Sequence, residues 1–202
     1  MSTRRGIQYR RVSGVFVLCL CVAATPMLAD QGAAPSKEHA DDAAAFKEFS
    51  ARVQAYVQLQ KTVKSGLPTL KPTDLPEMIA GYQQALARKI REARPHAEPG
   101  DLFTPAACEA FRHASHAVLQ GAHATNSRAY MERGAPAPTM RLTVNEVYPD
   151  TEPITAISPA LLAAFPPLPA EVAYRLVGRT LIVIDVESRL IVDVARRVLP
   201  PA

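Results

Sequence analysis

Proline placement partitions this chain before any other signal is read. Proline fixes its own φ and brings no N–H, so it does not sit inside a helix or a central strand without breaking a hydrogen bond. Pro68 therefore ends whatever precedes it and Pro95 ends the next element, while Pro105 and Pro159 open new ones. Pro149 closes an extended run, and Pro166-Pro167 stops a short helix.

Between these stops the apolar spacing names the elements. From Asp41, residues Phe46, Phe49, Val53, Tyr56, Val63 and Leu67 recur at steps of three and four, with Gln60 in one inward slot. That period predicts a helix with one buried stripe. Asp74 with Glu77 three positions later predicts a capped second helix, carrying Ile79, Tyr82, Leu86, Ile90 and Ala93 on its apolar side. The short connection predicts that the two lie antiparallel. A third helix opens at Thr104-Pro105, where the hydroxyl caps, proline occupies the first helical position and Phe103 staples onto Cys108. It runs to about Gln120, and Asn126 to Arg133 forms a short fourth helix ended by Gly134.

The character then changes. Arg141 to Val147 alternates as a strand does, and Ser158-Pro159 opens a short helix over Ala160 to Phe165. The strongest β signal is the tail: Val172 to Val177, a Gly178-Arg179 turn, Thr180 to Val186, Glu187-Ser188, and Leu190 to Val194. The expected fold class is α+β, an antiparallel bundle of three to four helices followed by a small antiparallel β-meander. The expected domain spans 41–202, with helices in 41–134 and the extended segment and meander in 139–199.

The N-terminus carries a different kind of signal. A basic, acid-free stretch to Arg11 precedes the apolar run Val12 to Ala24 and a small residue at Ala29. This is the order of a secretory signal peptide over 1–29, followed by a flexible leader over 30–40. This run of 13 residues makes about 20 Å of helix, short of the roughly 30 Å hydrocarbon core. The segment is therefore expected to be removed, leaving no transmembrane anchor and a periplasmic or secreted protein. Thr3-Arg4-Arg5-Gly6-Ile7 partly matches a twin-arginine signal, but Gln8 and the strongly apolar run favour ordinary export.

Removal changes the charge balance. Four of the 23 basic residues leave with the signal and none of the 19 acidic ones, so the remainder holds 19 of each. No basic surplus is left for nucleic acid. Cys19 and Cys21 leave too, so Cys108 stands alone and no intrachain disulfide forms.

Lys89-Ile-Arg-Glu-Ala-Arg-Pro95, Pro99-Gly-Asp-Leu-Phe-Thr-Pro105, Tyr174-Arg-Leu-Val-Gly-Arg179, Asp185 and Leu190-Ile-Val-Asp193 together resemble a group of uncharacterised exported bacterial proteins. The resemblance covers most of the mature chain. It implies bacterial origin, export and a helical front with a β tail; it implies no activity and transfers no functional residue.

Three constellations invite chemistry. His113, His116 and His123 fall at about 140°, 80° and 60° around the third helix measured from Cys108, with Glu109 at about 100°. Such a His and carboxylate face suits zinc, copper or nickel; against this, Phe111, Ala114 and Val118 mark the buried side and leave the histidines on a solvated one. Asp101, beside Gly100 and just before the Thr104 cap, has the position of a ligand or general base, and equally that of a charge complementing the helix N-terminus. Cys108 with His116 offers the ingredients of a thiol nucleophile, yet the Phe103 staple assigns it to packing. Asp185, Asp193, Arg175 and Arg179 read as outward-facing cross-strand charges.

No nucleophile elbow, phosphate-cradling glycine loop, zinc-protease helix or Cys-x-x-Cys pair occurs. The expectation is a non-catalytic binding or structural role in the cell envelope, without a cofactor, toward an unidentified envelope protein or small ligand. The surface between the pair formed by the first two helices and the meander is its default site. A periplasmic metal-binding protein and an unrecognised hydrolase using Asp101 are the alternatives.

Overall fold

A computed structural model describes residues 37–122, 124–132, 141–149, 151–152 and 157–200. The expected signal peptide over 1–29 and most of the expected leader therefore lie outside the described residues, as does His123.

The first helix, α1, spans Lys37–Ser65, beginning inside the stretch expected to be leader. Glu38, Asp41 and Asp42 place negative charge on its first turns, which favours an earlier start through the helix dipole. The second, α2, spans Pro76–Ala93, and its N-cap position is Leu75 with no side-chain cap. The Asp74–Glu77 capping box is thus not formed. Pro76 at the first helical position sets the boundary, and the Met78 and Ile79 amides donate to Leu75 O. In α3, Pro105–Gln120, Thr104 Oγ1 accepts from the Ala107 amide at 3.2 Å as expected. Two shorter helices follow, α4 at Ala124–Glu132 and α5 at Pro159–Ala164. In α5, Ser158 Oγ accepts from the Leu161 amide at 3.2 Å.

Contacts along α1 run opposite in order to those along its neighbours. Phe46 and Phe49 meet Phe111, Phe49 also meets Phe103, and Asp42 meets His113, so α3 descends as α1 rises. Tyr56 meets Arg94 at the end of α2, and the field of Tyr82 reaches Lys64, so α2 is antiparallel to α1 as well.

The tail is the expected meander. β1 (Val172–Val177), β2 (Thr180–Asp185) and β3 (Ile191–Ala195) form one antiparallel sheet in the order β1-β2-β3. Gly178, at φ 58°, sits in the two-residue turn between β1 and β2, where a left-handed residue matches the twist of the strands. Helices cover one face of the sheet, which contributes Val172, Tyr174, Leu176, Leu181, Val183 and Val192 to the main core. At its centre Phe111 makes ring contacts with Phe49, Phe103 and Phe165 at 4.8–5.2 Å between centroids.

The second face carries Val177, Ile182, Ile184, Ile191 and Val194, buried against Leu142, Val144 and Tyr148. The alternation read in Arg141 to Val147 corresponds to burial only at Leu142 and Val144, Val147 being exposed, and the segment is not a strand. Asn145 takes φ 65° and Glu146 N closes a turn on Thr143 O, which breaks the ladder. What remains is a single bridge, Val147 to Leu190, flanked by mutual bonds between residues 145–148 and 189–191.

Candidate functional site

α1, α3 and the chain after β3 enclose a groove of about 820 Å³. Phe46, Ala110, Ala114, Ala117, Val198 and Leu199 give it an apolar lining, while Glu38, Asp42, His113, His116, Arg179 and Arg197 supply its charged and polar edge. One wall is pinned in place: the Val198 and Leu199 amides donate to Arg179 O at 3.0 and 3.4 Å, and Arg179 Nε donates back to Leu199 O at 2.9 Å. A smaller hollow of about 560 Å³ adjoins it through Glu38, Asp42 and His113 and adds Asp41 and Glu109. Another, of about 800 Å³, lies between α5 and β1, and Arg175 is the one charged residue on its lining.

The histidine face lies at this groove, but its members point to protein partners. His113 Nδ1 is 3.0 Å from Asp42 Oδ1, and its Nε2 is 3.6 Å from Glu38 Oε1, so its two nitrogens face different carboxylates on α1. The Gln120 amide donates to His116 Nε2 at 2.8 Å, one turn along the same helix. Glu109 pairs with Arg112 at 2.5 Å. Among the described residues no three His, Cys, Asp or Glu side chains converge on a metal position.

Asp101 lines none of these hollows. Its carboxylate takes Arg94 Nη2 at 3.1 Å and the Glu98 amide at 3.3 Å, closing the turn that leads into α3. Cys108 is half-buried at the core edge, with Sγ donating to Phe103 O at 3.4 Å. Burial pushes its thiol up from the usual range, against the opposing pull of Arg112.

The buried carboxylates are a correction to the sequence reading. Asp185 and Asp193 do not face outward; both are fully buried. Asp193 Oδ2 accepts from the Leu102 and Phe103 amides at 2.7 Å each, and the Gly100 amide lies 3.0 and 3.2 Å from its two oxygens. Val183 pairs with Asp193 and Ile184 with Ile191, so Val192 is the extra residue of a bulge. A bulge resets the alternation of its strand, and here it turns Asp193 toward the helices.

Asp185, in phase with Leu181 and Val183, faces the same way. It accepts from the Tyr56 hydroxyl at 2.9 Å and from the Ser188 and Glu187 amides at 2.7 and 3.1 Å. Burial first, then the charge and hydrogen bond of Asp185, drives the Tyr56 hydroxyl far above the ordinary tyrosine range, with Arg94 opposing. The Arg94 guanidinium stands 5.1 Å from the Tyr56 ring centroid. These groups bind helices to sheet, and neither carboxylate lines any of the three hollows described above. The legible signal was an aspartate inside strands otherwise apolar on both faces, where burial requires donors.

No described helix is long and apolar enough to cross a membrane. No family model matches the chain, and no significant match to a curated protein or a solved structure is found.

Proposed function

We propose that this chain is an exported bacterial protein of the cell envelope with a non-catalytic binding role, and that its ligand or partner occupies the groove between α1, α3 and Val198–Pro200. The observation that carries this reading is the convergence on one concave surface of an apolar lining and polar groups from three separate parts of the chain. Its volume of about 820 Å³ falls in the range of small-molecule sites. Its helical side is formed by α1 and α3, whereas the default expectation placed the site between the α1–α2 pair and the meander.

Two further features support the reading. The buried carboxylates Asp185 and Asp193 are occupied by structural donors. Export rests on the basic, apolar and small-residue order of 1–29.

The test is native mass spectrometry of the protein recovered after export from its host, without chelator, as wild type and as Ala117→Phe. Ala117 is exposed on the groove lining, so the larger ring fills the groove without entering the core. A retained non-covalent mass that Ala117→Phe loses supports the proposal. A metal mass lost on acidification and in His116→Ala puts the metal-binding alternative in its place. A bare protein that turns over a substrate in a hydrolase screen overturns it.

A further inference from the structure

We infer that the groove takes a single-chain anionic amphiphile, its carboxylate head held by Arg197 and Arg179 and its hydrocarbon chain laid toward Phe46, Ala114 and Ala117. This rests on the groove being the binding site.

The charges on the groove differ in what they already do. The carboxylates of Asp42 and Glu38 face His113, and Arg112 faces Glu109. Arg179 spends its Nε on Leu199 O, and its two terminal nitrogens have no partner among the described residues. Arg197 is exposed and likewise has none. Arg179 and Arg197 are therefore the two guanidinium groups on the groove that have no carboxylate partner among the described residues. Guanidinium is the side chain whose planar fork matches a carboxylate.

Their placement is fixed by backbone. The amides of Val198 and Leu199 bond to the Arg179 carbonyl, so the residue before Val198 is carried beside the β1–β2 turn that bears Arg179. Both arginines thus belong to one wall, and the helical wall opposite is apolar at Phe46, Ala114 and Ala117. A head group on one wall with an apolar floor next to it is the chemistry of an amphiphile, not of a wholly polar solute.

Arg197 is also strained. Among the described residues, three that are not glycine have positive φ: Asn145 at 65°, Arg189 at 61° and Arg197 at 56°. The side chain of Asn145 donates to Arg94 O at 3.0 Å, and that of Arg189 donates to Tyr148 O at 3.2 Å. Arg197 keeps a left-handed backbone that glycine would adopt freely, with no structural bond to compensate, and strain of that kind marks functional positions.

The test is calorimetric titration of the exported protein with dodecanoate below its micelle concentration, beside dodecyltrimethylammonium and dodecanol as cationic and neutral probes of the same chain. Dodecanoate is expected to bind at least tenfold more tightly than either, and lengthening the acid by two methylenes to gain roughly another tenfold. Arg197→Gly is expected to weaken dodecanoate about tenfold while its melting temperature does not fall, because glycine relaxes the positive φ. A residue with a purely structural role would not separate the two. Equal binding of all three probes, lost in Ala117→Phe, overturns the anionic class and leaves the groove as the site. Binding of dodecanoate unaffected by both Ala117→Phe and Arg197→Gly overturns this inference and the groove together, as does binding of none of the three.

Discussion

Asp193 Oδ2 stands 2.7 Å from the backbone nitrogen of Phe103, ninety residues away in sequence. That contact, with its neighbours at Gly100 and Leu102, ties the last strand to the loop that opens α3. Asp193→Asn keeps the shape but puts an amide NH₂ against N–H donors and removes the charge that strengthens the bonds. Because the group is fully buried, we expect a loss of about 2–4 kcal/mol, read as a lower urea midpoint at unchanged slope.

Gly100 is the backbone half of the same arrangement. Its φ of 104° is outside the range that a side-chain-bearing residue adopts freely, and an added Cβ would meet only Phe103 O at 3.8 Å. The cost of Gly100→Ala is therefore conformational and not a clash. About 1–3 kcal/mol is expected in chemical denaturation, together with weaker amide-exchange protection at Leu102 and Phe103.

Two buried tyrosines make stability fall at high pH. Tyr56 and Tyr174 are each about 5% exposed, and burial raises both hydroxyls well above the ordinary value of about 10. The folded state therefore keeps protons that the unfolded state releases. Stability is unaffected by these groups below about pH 10 and is lost above it, by about 1.4 kcal/mol per pH unit for each tyrosine. Urea midpoints are expected to drop as pH rises from 10 to 11, and Tyr56→Phe is expected to lessen that drop while lowering stability at pH 8 through loss of the bond to Asp185.

Gln60 is buried on α1, and among the described residues its Oε1 is the one buried side-chain oxygen or nitrogen without a hydrogen-bond partner. Gln60→Met keeps the volume and removes the unsatisfied acceptor. A gain of about 1 kcal/mol is expected, visible as a higher melting temperature.

Much of the fold was legible because its signals are local. Thr104-Pro105 and Ser158-Pro159 act through a hydroxyl and the amide three residues on, and both caps form. Gly178-Arg179 turns the chain where a left-handed residue is needed, and the α+β order follows from a change of period. Where the local signal had two readings, the choice failed: Asp74 offered a cap, but Pro76 placed the helix start. The candidate site was less legible. Placing His113 and His116 on one exposed side of α3 was sound geometry, yet nothing near them in sequence announced that Asp42 and Glu38 would face His113 from another helix.

By itself the sequence determined which segments are helices and where the three-stranded meander lies, since caps, proline stops and hydrophobic period act within a few residues. Tertiary structure alone decided which way side chains face and whom they meet. Asp193 points inward because a bulge at Val192 shifts the register of β3 against β2. Residues 141–147 bury Leu142 and Val144 without becoming a strand because Asn145 turns the backbone against β3. Arg179 and Arg197 share a wall because Val198 and Leu199 bond to the β1–β2 turn. Each outcome depends on hydrogen bonds between residues far apart in the chain, and the energy of those bonds exists only once the chain has folded.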